Sequence, residues 1–102
     1  MNYYNKRRIA KLYQDWEDLD KSYDKLKNDC EDKIKYILMI EEGIFDFTGI
    51  NYVEIAGDLL KKYNGTEVGD KLKVIIKCFK TIDEYYDKKL GINNLIKEVE
   101  ND

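Results

Sequence analysis

Residues 3–42 contain neither glycine nor proline, and the chain as a whole has no proline. Nothing in this stretch can break a helix, so it predicts one helix over 3–42. Its apolar residues are Ile9, Leu12, Trp16, Leu19, Tyr23, Leu26, Cys30, Ile37 and Ile40. They are spaced alternately three and four apart as far as Cys30, which is a heptad stripe. Ile9, Trp16, Tyr23, Cys30 and Ile37 hold the a positions, and Leu12, Leu19, Leu26 and Ile40 hold d. Lys33 alone interrupts the d series.

The stripe changes width along the helix. Up to Asp32 it is narrow and flanked by charge, as for a helix meeting one neighbour. From Ile34 to Ile40 nearly every residue is apolar or Tyr, as for a helix meeting two or more. Gly43 is placed to cap the helix, and the apolar run Ile44–Ile50 is expected to tuck into the core. Asn51 and Glu54 form a capping-box pattern ahead of a second helix over 52–63, with Val53, Ala56, Leu59, Leu60 and Tyr63 on its apolar side. Asn64-Gly65 turns the chain and Thr66 caps a third helix over 67–90, with Val68, Leu72, Ile75, Phe79, Ile82 and Tyr86 as its apolar face. Gly91 reads as a stop, and Asn93 as the cap of a short last helix over 94–100.

The expected fold is all-α and a single domain, 1–102. One long N-terminal helix packs with two antiparallel helices and a short C-terminal one, forming a helical bundle with a coiled-coil arm. A 3–42 helix is about 60 Å long, whereas a compact domain of this size has a radius of gyration of about 13 Å. The shorter helices therefore pack on the wide apolar half, and the stripe from Ile9 to Leu26 is left as an exposed arm.

The residues needed for most chemistries are missing. The chain has no histidine, and Ser22, its only serine, has no base to activate it. Cys30 and Cys78 read as small buried thiols. Asp15, Glu17, Asp18 and Asp20 point to different sides of a helix, so they are not expected to converge on a metal. Asn64–Gly69 lacks the Lys-Ser/Thr of a phosphate loop. No catalytic residue, metal or cofactor is expected. No apolar run is long enough to cross a membrane, and no apolar stretch follows the basic residues at the start, so a cytoplasmic protein is expected.

Two surfaces remain as candidates. The arm residues Ile9, Leu12, Tyr13, Trp16, Leu19, Tyr23 and Leu26 form a row that monomeric proteins rarely leave wet, and Trp and Tyr dominate interface energies. A parallel homodimer is disfavoured, because its flanking pairs would be Asp15–Asp20, Ser22–Lys27 and Asp29–Ile34, with no ion pair among them. An antiparallel homo-oligomer or a protein partner suits the row better. The second surface is Lys6, Arg7, Arg8 and Lys11, interleaved with Tyr3, Tyr4 and Tyr13, a pattern that fits nucleic-acid contact. The 18 basic residues are outweighed by 21 acidic ones, and Asp15 follows this patch within about a turn, which weakens that alternative. These cations also oppose the helix dipole, as do Glu41 and Glu42 at the other end.

The expected function is a non-catalytic protein-interaction module acting through its long helix. The alternative is a dimeric nucleic-acid-binding protein. Lys, Asn, Ile and Tyr, all with AT-rich codons, are abundant, and Ala10 and Ala56 are the only alanines. That composition suits a small phage or mobile-element accessory, such as an inhibitor of a host machine.

Overall fold

The structure, a computed structural model, describes residues 3–101; residues 1, 2 and 102 of the expected domain lie outside the described residues. It contains three helices, α1 (Tyr3–Glu42), α2 (Tyr52–Tyr63) and α3 (Glu67–Glu100), and no strand among the described residues. The fold is all-α, with α1 packed against α2 and α3. The chain divides into two compact units. One spans Leu26–Thr81, and the other joins the stretch up to Lys25 with the stretch from Ile82 onward.

The Leu26–Thr81 unit is a three-helix bundle built on the wide apolar half of α1. Cys30, Ile34, Ile37 and Leu38 are buried against Ala56 and Leu59 of α2 and Leu72 and Ile75 of α3. Its turns form as the residue types dictate. Gly43 adopts φ +63°, and Ile44 N–H returns to the Leu38 carbonyl at 3.0 Å, closing α1 as a left-handed C-cap does. Asn51 accepts from the Glu54 N–H at 3.2 Å. Thr66 Oγ1 accepts from the Gly69 N–H at 3.1 Å, starting α3 immediately after α2 ends.

Five apolar positions differ from the sequence expectation: Ile40, Ile44, Phe45, Val53 and Tyr86 are exposed. Ile40, a d residue of the heptad, is 63% exposed, and Leu38 takes the core place instead. A straight helix drifts against a seven-residue repeat, and a second neighbour, α2, pulls the buried face toward Leu38. Phe45 points to solvent, whereas Phe47 and Ile50 of the same loop are half-buried. Val53 is exposed, so α2 faces the core through Ala56 and Leu59.

The other unit pairs α1 with the second half of α3. The expected stop at Gly91 does not occur, nor does a separate helix over 94–100: α3 runs unbroken from Glu67 to Glu100. A glycine inside a helix costs about 1 kcal/mol, which ends a helix only where little else holds it. Ile96 and Val99 are both buried beyond it, and no proline follows to force an end. The residues of α3 turned inward here are Ile82, Tyr85, Lys89, Ile92, Ile96 and Val99, again alternately three and four apart.

Gly69 and Gly91 occupy opposite environments. A Cβ built at Gly69 would overlap the Tyr63 carbonyl, because the first turn of α3 lies directly against the end of α2; at Gly91 a Cβ meets open space. Gly69→Ala is expected to lower unfolding free energy by about 1–3 kcal/mol despite alanine's better helix propensity. Gly91→Ala is expected to raise it by up to about 1 kcal/mol. Urea denaturation of the two variants checks both signs.

Candidate functional site

In the unit that pairs residues up to Lys25 with those from Ile82, the seam of α1 is satisfied within the chain. Ile9, Leu12, Trp16, Leu19 and Tyr23 are all half-buried, and Tyr13 is exposed; Leu26, in the Leu26–Thr81 unit, is half-buried as well. Tyr13 donates from its hydroxyl to Glu100 Oε1 at 3.4 Å. The rings of Tyr23 and Tyr86 lie 6.4 Å apart, tilted by 42°. These contacts fix an antiparallel register in which early α1 meets late α3. The bare arm is therefore not present, because the continuation of α3 past Gly91 covers it.

Lys89 occupies the middle of this seam. Its Nζ pairs with the Asp20 carboxylate and lies 5.1 Å from the Trp16 ring centre and 4.7 Å from that of Tyr23. The side chain is only 14% exposed. Two aromatic faces and one carboxylate take the place of water around the ammonium group, so its burial carries little penalty. Chemically this is a closed ion–aromatic cluster whose cation is supplied by the chain itself.

The basic group Lys6, Arg7, Arg8 and Lys11 is exposed throughout, as are Tyr3 and Tyr4. In the register that brings Tyr13 to Glu100, the last residue of α3, Lys6, Arg7 and Arg8 lie on the part of α1 that runs past the end of α3.

In the Leu26–Thr81 unit, Glu42 at the end of α1 is likewise paired. Lys62 Nζ lies 2.9 and 2.8 Å from its two carboxylate oxygens, and the Tyr63 hydroxyl donates to Oε1 at 3.2 Å. The hydrogen bond from Lys62 holds the Glu42 carboxyl below its ordinary pKa, and the same bond raises that of Lys62. Desolvation, with Glu42 adding to it, raises that of Tyr63.

A concavity belongs to this unit. A groove of about 470 Å³ lies between α1 and α3, lined by Asp32, Lys33, Tyr36, Ile37, Lys71, Val74 and Ile75. Tyr36 and Val74 are 62% and 60% exposed, and Ile40, one turn beyond Tyr36, continues the apolar edge. Lys33 and Ile40 are the two d positions that rotate out of the core. Val74 carries no heptad signal in the sequence.

No group of three or more Cys, Asp or Glu that could hold a metal lies among the described residues, and no described helix is long and apolar enough to cross a membrane. No family model matches the chain, and no curated protein or solved structure matches it.

The Lys89 cluster yields a quantitative expectation. In a double-mutant cycle of Asp20→Ala and Lys89→Met, followed by urea denaturation, the coupling is expected to reach about 1–2 kcal/mol. An exposed ion pair would give about 0.5 kcal/mol or less. Trp16→Ala with Leu19→Ala removes packing from the same seam and is expected to destabilise the chain, contrary to the expectation that an exposed arm could lose them freely.

Proposed function

We propose that this chain is a non-catalytic protein-interaction module that receives an amphipathic helix of a larger partner in the groove between α1 and α3. The observation that carries the reading is the groove itself: Tyr36, Ile40 and Val74 are each more than half exposed beside a floor of buried Ile37 and Ile75. Parallel walls made by two helices accept a third helix through apolar residues three and four apart. The groove carries one carboxylate and two ammonium groups, Asp32, Lys33 and Lys71, at its edges. Polar edges around an apolar centre are the usual anatomy of an interface.

The size of this face favours a helix over a second copy of the chain. Two helices of about 25 Å present roughly 500 Å². A stable dimer buries about 800 Å² on each partner. The seam of α1 up to Tyr23 is half-buried against α3 of the same chain, which favours the C-terminal half of the long helix as the face offered to a partner. The composition supports a setting in the cytoplasm, as a phage or mobile-element accessory that acts by occupying a surface of a host machine.

Photo-cross-linking from position 36 in the source cell, with the joined peptide sequenced, tests the occupant. The expected cross-link falls on a helical segment of another protein with apolar residues three and four apart. Val74→Asp is expected to weaken that cross-link at least tenfold while leaving the melting temperature within a few degrees, since Val74 is mostly exposed. A cross-link to a second copy of the chain contradicts the proposal, as does one that Val74→Asp leaves unchanged. Steeply salt-dependent nucleic-acid binding through Lys6–Lys11 would favour the alternative function.

A further inference from the structure

The groove between α1 and α3 in the Leu26–Thr81 unit is lined by charge of the opposite sign to that of the chain. The chain as a whole has a net charge of −3. The groove is lined by two ammonium groups, Lys33 and Lys71, and one carboxylate, Asp32, which leaves an excess of positive charge. That carboxylate has a cation of its own, since Lys35 Nζ lies 3.9 Å from it on the same helix. Lys33 and Lys71 form no ion pair among the described residues. On the reading that this groove receives a partner's helix, we infer that it selects an acidic one, in which Asp or Glu flanks the apolar stripe on both sides.

The two cations stand on different walls. Lys33 belongs to α1 and Lys71 to α3, and the floor between the walls is made by Ile37 and Ile75, 6% and 4% exposed. A helix laid along this floor turns its apolar stripe toward Ile37, Ile75 and Val74. The residues beside the stripe, positions e and g of a heptad, then face the two walls. Carboxylates there meet one ammonium group on each side. Ammonium groups there meet Lys33 and Lys71 as like charges, at an edge that the docked helix shields from water.

Selection of this kind runs against the field of the whole chain. A net charge of −3 draws cationic peptides at long range and repels acidic ones. At an ionic strength of about 0.15 M, exposed charges more than about 8 Å apart are largely screened, so the contacts at the groove edge decide the preference. Each pair at an exposed edge contributes modestly, and the selectivity is therefore several-fold rather than several hundred-fold.

The test uses three synthetic helical peptides with the same leucines, spaced three and four apart, whose flanking positions are all Glu, all Gln or all Lys. Their binding to the full-length chain is followed by fluorescence anisotropy at about 0.15 M salt. The Glu peptide is expected to bind at least about fivefold more tightly than the Lys peptide, with the Gln peptide between them. Lys33→Gln with Lys71→Gln is expected to abolish that order without lowering the melting temperature, because both lysines are exposed. Val74→Asn, which adds no charge, is expected to weaken all three peptides. Binding that depends on Val74 but is equal for the Glu and Lys peptides, or tighter for Lys, overturns the acidic preference and leaves helix docking standing. A Glu preference that survives in the double lysine variant does the same. Failure of all three peptides to bind in a Val74-dependent way overturns both.

Discussion

An amphipathic helix with a narrow apolar stripe has to find one neighbour, and the stripe from Ile9 to Tyr23 finds the second half of α3. That pairing decides the rest of the unit formed with the residues from Ile82 onward. It explains why α3 continues through Gly91, since stopping there would leave Ile96 and Val99 without their burial and the α1 stripe wet. The gain from burying side chains of this kind, about 1.5–3 kcal/mol each, exceeds the cost of about 1 kcal/mol for a helical glycine. Tertiary packing overrides local propensity here by a clear margin.

Two charged side chains that look misplaced in the sequence find partners in the structure. Glu42 stands at the wrong end of α1 and is held there by Lys62 and Tyr63. A carboxylate that opposes the dipole of its own helix is held by a cation and a hydroxyl of the neighbouring helix. The same logic applies to Lys89, a cation in an apolar seam that is accepted because Asp20, Trp16 and Tyr23 surround it.

Much of the fold was legible in residue spacing. The bounds of α1 and α2, the start of α3, and the caps at Gly43, Asn51 and Thr66 follow from glycine placement, capping residues and the three-four alternation. The end of α3 was not legible, for an identifiable reason. Its inward residues Ile82, Tyr85, Lys89, Ile92, Ile96 and Val99 keep the alternation past Gly91, but Lys89 sits in the middle of it. A lysine four residues after Tyr85 and two before a glycine reads as the basic end of a helix. Only its three neighbours in space, all contributed by α1, show it to be a core residue. The expected docking face rests on the same residues: with α3 ending at Gly91 the α1 row from Ile9 to Leu26 reads as bare, whereas Tyr36 and Val74 carry no heptad signal. Lys33 was visible as a break in the heptad, but a break in one helix does not reveal the groove that two helices make.

The central claim is that the α1 stripe is covered by an unbroken α3 of the same chain. Nuclear magnetic resonance of the dilute chain tests it most directly, through backbone shifts over Leu90–Asn94 and contacts from the Trp16 indole. The account predicts helical shifts through Gly91 and cross-peaks between Trp16 and the Lys89 side chain. Coil shifts at Gly91–Asn93, with no cross-peak from Trp16 to Lys89, would contradict it.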